Sequence, residues 1–172
     1  YAAAGGHLLV SGPDSLERFG AAYLGVRCEQ TEAKKTYHVP AADGSVPVYQ
    51  DSWQLIRPTR ARGLGRLAAS PLLDERLLPY AAAAVRQMGK GAVAYVPFEV
   101  FTYFDHNRYP LVRDFVGQVM QELAGPQPIR VQAPACVDVV LRRKGNRRLV
   151  HLINRASGIP NRPNDGTVDQ IP

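Results

Sequence analysis

Residues 98–107, FEVFTYFDHN, bring Glu99, Tyr103, Asp105 and His106 into one short connector. Aromatic rings beside carboxylates are the makings of a saccharide-binding surface: a ring offers an apolar face to a pyranose, and a carboxylate accepts its hydroxyls. Cleaving a glycosidic bond needs more, two carboxylates held across the bond at a defined separation. Two on one connector would supply that only by accident. The plainer reading is preferred: the rings pack on the core or on a neighbouring domain, and Asp105 or Asn107 caps a helix.

A second place for chemistry is Ser11-Gly12-Pro13. In an open α/β sheet ligands bind outside the carboxyl ends of the strands, which puts Ser11 in a useful position. The G-x-S-x-G elbow of a nucleophilic serine is absent, however, and Pro13 follows at once, so Ser11 reads as part of a turn. Cys28 and Cys136 also lack the glycine-flanked elbow of a cysteine nucleophile and read as small structural thiols. The histidines, His7, His38, His106 and His151, are scattered without metal-ligand spacing, so no metal site is predicted. Gly89-Lys90-Gly91 precedes a strand and lacks the P-loop pattern. No cofactor is implied.

Residues 89–123 must position the connector. A glycine turn leads into AVAYVP at 92–97, a short apolar run bounded by Gly91 and Pro97 that predicts a buried strand. After the connector, Leu111, Val112, Phe115, Val116, Val119, Met120 and Leu123 recur at helical spacing, with Pro110 at the entry and Gly125 at the exit. Upstream, residues 6–10 predict a strand, and Asp14 or Ser15 caps a helix running to about Leu24 and stopped by Gly25. Strand, turn and helix in this order set an α/β rhythm.

Residues 26–79 are expected to be an edge insertion of short strands and loops. Strands are placed at 37–39, 46–49, 53–57 and 64–69, with Asp43-Gly44 as a turn. Residues 82–87 are read as a strand that hairpins through Gly89 into the next. Residues 129–132 form a further short strand. A closing hairpin pairs 137–143 with 148–154 around Lys144-Gly145-Asn146, and a Pro/Asn/Gly-rich linker follows.

The chain has 172 residues, 45% hydrophobic and 21% charged, which is ordinary for a domain with a real core. No apolar run approaches the roughly 20 residues needed to span a membrane. The net charge of +6 is concentrated after Gln127, most densely at Arg142, Arg143, Lys144, Arg147 and Arg148. A two-stranded ribbon can enter a major groove, but no aromatic platform accompanies this tip, so nucleic acid is not the expected partner. Tyr1 follows no starting methionine or signal pattern, and the chain stops inside what reads as another strand. A fragment of a longer protein is expected, with the cytoplasm as the default compartment.

Three motifs carry a family resemblance: YAAAGGHLLV at 1–10, MGKGAVAY at 88–95, and the closing hairpin into VHLIN at 150–154. In this order the chain resembles the glutamine-amidotransferase-like accessory domain of β-galactosidases, the β-galactosidase trimerisation domain. The resemblance implies a flavodoxin-like (class I glutamine-amidotransferase-like) α/β sheet with flanking helices over residues 1–134, truncated at its N-terminus. It implies that residues 135–172 open a small C-terminal β domain. It further implies a non-catalytic assembly role beside a TIM barrel that carries the sugar chemistry, with a homo-oligomer and carbohydrate as partners. The contact candidates are then Ser11, Glu99, Tyr103, Asp105 and His106. The competing readings are a hydrolase or amidotransferase on the same fold, and a polyanion-binding module.

Overall fold

The alanine-rich run before Gly89 takes the extended form its glycine turn demands. Leu77–Met88 (β5) and Gly91–Val96 (β6) pair antiparallel, with Met88 opposite Gly91 and Gly89 at φ 61 in the turn between them. A left-handed residue in a tight hairpin is where glycine is favoured. In the computed structural model, which describes residues 1–41, 44–71, 77–107, 109–125, 129, 131–133 and 137–154, this hairpin lies inside a six-stranded sheet. The order is β1-β6-β5-β4-β2-β3, with β1 at His7–Ser11, β2 at Val26–Ala41, β3 at Gly44–Pro58 and β4 at Arg62–Ala68. Alternation along β6 feeds two cores: Ala92, Ala94 and Val96 join one cluster, Val93 and Tyr95 the other.

The helices are α1 (Asp14–Phe19), α2 (Ala21–Leu24), α3 (Val100–Asn107) and α4 (Pro110–Ala124). The amphipathic helix has the predicted bounds, with Pro110 in its first turn and Gly125 at its exit. It buries Val112, Phe115, Val119 and Leu123, while Met120 stays 40% exposed. It touches β1, β2, β3, β5 and β6, so the sheet curls around it. The predicted helix from Asp14 to Leu24 is interrupted at Gly20, whose N–H closes onto Leu16 O at 2.9 Å. Neither Asp14 nor Ser15 caps it: the residue before the first turn is Pro13, and Ser15 Oγ instead donates to Ser11 O at 2.6 Å.

The flavodoxin-like, class I glutamine-amidotransferase-like fold is overturned. The described chain is mostly strand, and β1–β6 is the sheet's parallel pair, all its other pairings being antiparallel. The helices after β1 lead into β2, fifth in the order, so no strand-helix-strand unit forms with a parallel neighbour. The reason lies in residues 26–79, read from sequence as an insertion. They supply three of the six strands, including a ribbon of 16 and 15 residues in β2 and β3.

That ribbon is bent. Val46 and Val48 reach the main core at even positions, Trp53 and Leu55 at odd ones, so the inward face changes phase within one strand. Opposite the change, Lys34 in β2 has φ 51, an uncommon conformation for a residue with a Cβ. The bend is braced by Trp53 Nε1, which donates to Lys35 O at 3.0 Å. Trp53 is fully buried, with its ring 5.3 Å from Tyr37 and 5.1 Å from Phe98.

The chain's contacts separate into two units, Tyr1–Gln127 and Pro128–Pro172. In the second, Val137–Lys144 (β7) and Arg147–Asn154 (β8) form the predicted hairpin, turning at Gly145 and Asn146. The strand expected at 129–132 is not formed at its described residues. Asp43, Cys136 and the linker after Asn154 lie outside the described residues.

Candidate functional site

The connector begins where the parallel strands end. Ser11 pairs with Val96 at the last register position, and the Gly12 N–H then reaches both Val96 O and Phe98 O at 3.0 Å. Gly12 has φ 91, and a Cβ there would lie 1.9 Å from Glu99 Oε1, so the Glu99 carboxylate rests on the bare glycine. Phe98 is buried against Trp53 and, 6.0 Å away, Phe115, which anchors the chain just before it emerges.

From Val100 the predicted connector is a helix. Thr102, Tyr103 and His106 share one face of α3, and Glu99, the residue before its first turn, stands in line with them at i, i+3, i+4 and i+7 spacing. Two bonds pin this face to β3. The Glu99 N–H donates to Gln50 Oε1 at 3.1 Å, and the Tyr103 hydroxyl donates to Pro47 O. Between them opens a cleft of about 600 Å³, lined on the helix side by Glu99, Thr102, Tyr103 and His106 and on the strand side by Tyr49, Gln50, Asp51 and Ser52. Tyr49 OH donates to Asp51 Oδ1 at 3.4 Å. Burial, and secondarily Tyr109 beside it, push the Tyr103 hydroxyl above the usual tyrosine range, so it stays a donor. Burial does the same for Tyr95, whose hydroxyl donates to Gly12 O at 3.4 Å beneath the turn.

Of the residues singled out from sequence, Glu99, Tyr103 and His106 meet at this cleft. Asp105, an exposed residue, and Ser11, the last residue of β1, are not among its lining. The Ser11 carbonyl is taken by Ser15, which fits a turn. Asn107 Nδ2 donates to Tyr103 O at 3.0 Å and so closes α3 rather than capping α4, whose cap position is Tyr109. Cys28 Sγ donates to Gln54 Oε1 at 2.8 Å, an amide where a nucleophile would need a base.

The strand side, Tyr49 to Ser52, was missed from sequence. The polar triplet Gln50-Asp51-Ser52 reads as a loop between two short strands, whereas it is the bent middle of one. The signal was the phase change itself, Val46 and Val48 against Trp53 and Leu55. Among the described residues no three His, Cys, Asp or Glu side chains lie close enough to hold a metal.

Solved structures share this architecture. The β-galactosidase from Rahnella sp. R3 aligns over 90% of this chain with a TM-score of 0.55 at 19% identity. That from Bacillus circulans sp. alkalophilus aligns over 89% at 0.54 and 16%. A GH42 β-galactosidase from G. stearothermophilus aligns over 90% at 0.51 and 19%. The chain shares its fold with one segment of these β-galactosidases. It spans 24% of the length of the first two and 23% of the third. No family model matches the sequence, and no curated protein matches it significantly.

Proposed function

We propose that the chain is a non-catalytic accessory domain of a larger β-galactosidase-like glycoside hydrolase, contributing to assembly or to the surroundings of a TIM-barrel catalytic domain. What supports the reading is the proportion of the structural likeness: nearly all of this chain corresponds to about a quarter of theirs. The cleft is in keeping with it. Asp51 and Glu99 are both open to water, whereas the general acid of a glycosidase is set in apolar surroundings. Under this proposal residues 1–134 form the accessory domain, residues 135–172 open a further β domain, and the partners are neighbouring domains of the same polypeptide and copies of it.

Two measurements test the reading. The 172-residue chain is expected to turn over neither glutamine nor a panel of chromogenic glycosides. Turnover abolished by Ser11→Ala, Glu99→Gln or Asp105→Asn would establish an enzyme on this fold instead. Analytical ultracentrifugation is expected to show concentration-dependent self-association, and a strictly monomeric chain would remove self-assembly through this domain alone.

A further inference from the structure

β1 and β6 run parallel and leave the sheet side by side, β1 into Gly12 and Pro13, β6 into Pro97 and Glu99. The cleft opens at this place, with Pro13 and Glu99 on one side and Tyr49 to Ser52 on the other. Its 600 Å³ falls within the roughly 300–1,000 Å³ of small-molecule sites.

The lining selects a chemistry. Asp51 and Glu99 place two carboxylates here against one imidazole, His106, so the lining itself disfavours an anion although the chain's net charge is +6. Thr36, Ser52, Thr102 and Asn107 add hydroxyls and an amide that both donate and accept. An ammonium only donates, so it would leave the donors of this set unused; a polyol uses both kinds. Tyr49 is 51% exposed and supplies an apolar ring, tied through its hydroxyl to Asp51. The Gln50–Glu99 and Tyr103–Pro47 bonds fix the two walls beforehand, which lowers the ordering cost of binding.

We propose that this cleft binds a neutral, hydroxyl-rich ligand, a mono- or disaccharide, stacked on Tyr49 and held through its hydroxyls by Asp51, Glu99 and Asn107. The inference rests on the cleft alone and not on the accessory-domain reading.

Saturation-transfer NMR on the full chain tests it, with D-galactose, D-glucose, D-mannose and a β-linked disaccharide of each as probes and spermidine as a competing cation. At least one sugar is expected to receive saturation, with an affinity of roughly 1 mM as befits an open site. Tyr49→Ala and Asp51→Asn are each expected to weaken it about tenfold. Both side chains are exposed, so the unfolding midpoint should hold and a loss reports on the site. Absence of transfer from every sugar overturns the proposal. Transfer that survives both substitutions overturns it too, by placing the sugar elsewhere. Spermidine bound more tightly than any sugar, and lost in Asp51→Asn, would make the cleft a cation site. A sugar bound by a strictly monomeric chain leaves this inference standing while self-assembly through this domain alone falls.

Discussion

The backbone N–H of Glu99 and the side-chain Oε1 of Gln50, 49 positions apart, meet at 3.1 Å. The bond joins the end of β6 to the middle of β3, strands at opposite sides of the order, and it can form because the sheet curls. Gln50→Ala returns the Glu99 amide to water. The expected cost is about 0.5–1.5 kcal/mol, the net worth of a neutral hydrogen bond. Urea unfolding measures the loss, and hydrogen exchange at the Glu99 amide should quicken beyond the global change. Unaltered exchange there would show that Gln50 does not hold the helix start.

Gly12 is constrained twice, by φ 91 and by the Glu99 carboxylate where a Cβ would stand. Gly12→Ala is therefore expected to cost about 1–3 kcal/mol through left-handed strain, with displacement of Glu99 added. The two parts separate in a double-mutant cycle. In a Glu99→Ala background the steric part disappears, and Gly12→Ala should cost measurably less by urea unfolding. Equal costs in both backgrounds would mean that the carboxylate does not rest on the glycine.

The parts of this fold legible in the sequence are those set by local rules. The α4 stripe, the β5–β6 turn at Gly89 and the closing hairpin each follow from spacing and turn chemistry within a few residues. The sheet topology does not. Whether β6 sits beside a parallel or an antiparallel neighbour depends on where β2 to β5 pair, and alternation along β6 is the same in both cases. The cleft was half legible for a related reason. Glu99, Tyr103 and His106 stand in line at helical spacing, but their counterparts on β3 are distant in sequence and were disguised as a loop by the bend at Lys34.

Lys34 holds φ 51 at an exposed position. A left-handed conformation costs a residue with a Cβ about 1–2 kcal/mol, and glycine escapes most of it at some expense in chain entropy. Lys34→Gly is expected to stabilise the chain by up to about 1 kcal/mol. Lys34→Val, β-branched and poorly suited to positive φ, should destabilise it. Guanidinium unfolding of the two variants decides the matter by sign. A destabilised glycine variant would show that the bend is not strained at this residue.

Beside the bend, the Tyr37 hydroxyl donates to Glu32 Oε2 at 2.7 Å, and Lys35 Nζ lies 3.2 Å from the same oxygen. The Tyr37 hydrogen bond, then Lys35, holds the Glu32 carboxyl below its ordinary 4.5. Burial first, and Glu32 second, raise the Tyr37 hydroxyl above the usual tyrosine range. The depressed carboxylate contributes stability above its unfolded value and loses it as the pH falls through the lower folded value. The raised hydroxyl loses its contribution only as the pH rises through its own folded value. Tyr37→Phe should therefore lie furthest below the parent chain near neutral pH and converge on it as the pH drops below 4.5. Thermal unfolding across a pH series checks this, and a gap constant down to strong acid would refute the coupling.

At the tip of the β7–β8 hairpin, Arg143 stands directly opposite Arg148 and Lys144 opposite Arg147. Like charges facing across an antiparallel pair destabilise it, and a lone two-stranded hairpin is marginal in water. Arg148→Glu turns one repulsive pair into an attractive one, worth roughly 0.2–1 kcal/mol. The effect should concentrate in the hairpin, so amide exchange at Leu141 and Val150 in the full chain is the suitable measure, with slower exchange expected in the variant. Added salt should slow exchange in the parent chain more than in the variant, because screening relieves repulsion in one and weakens attraction in the other. Exchange that is unchanged by the substitution and indifferent to salt would mean that the opposed arginines splay into solvent without opposing the pairing.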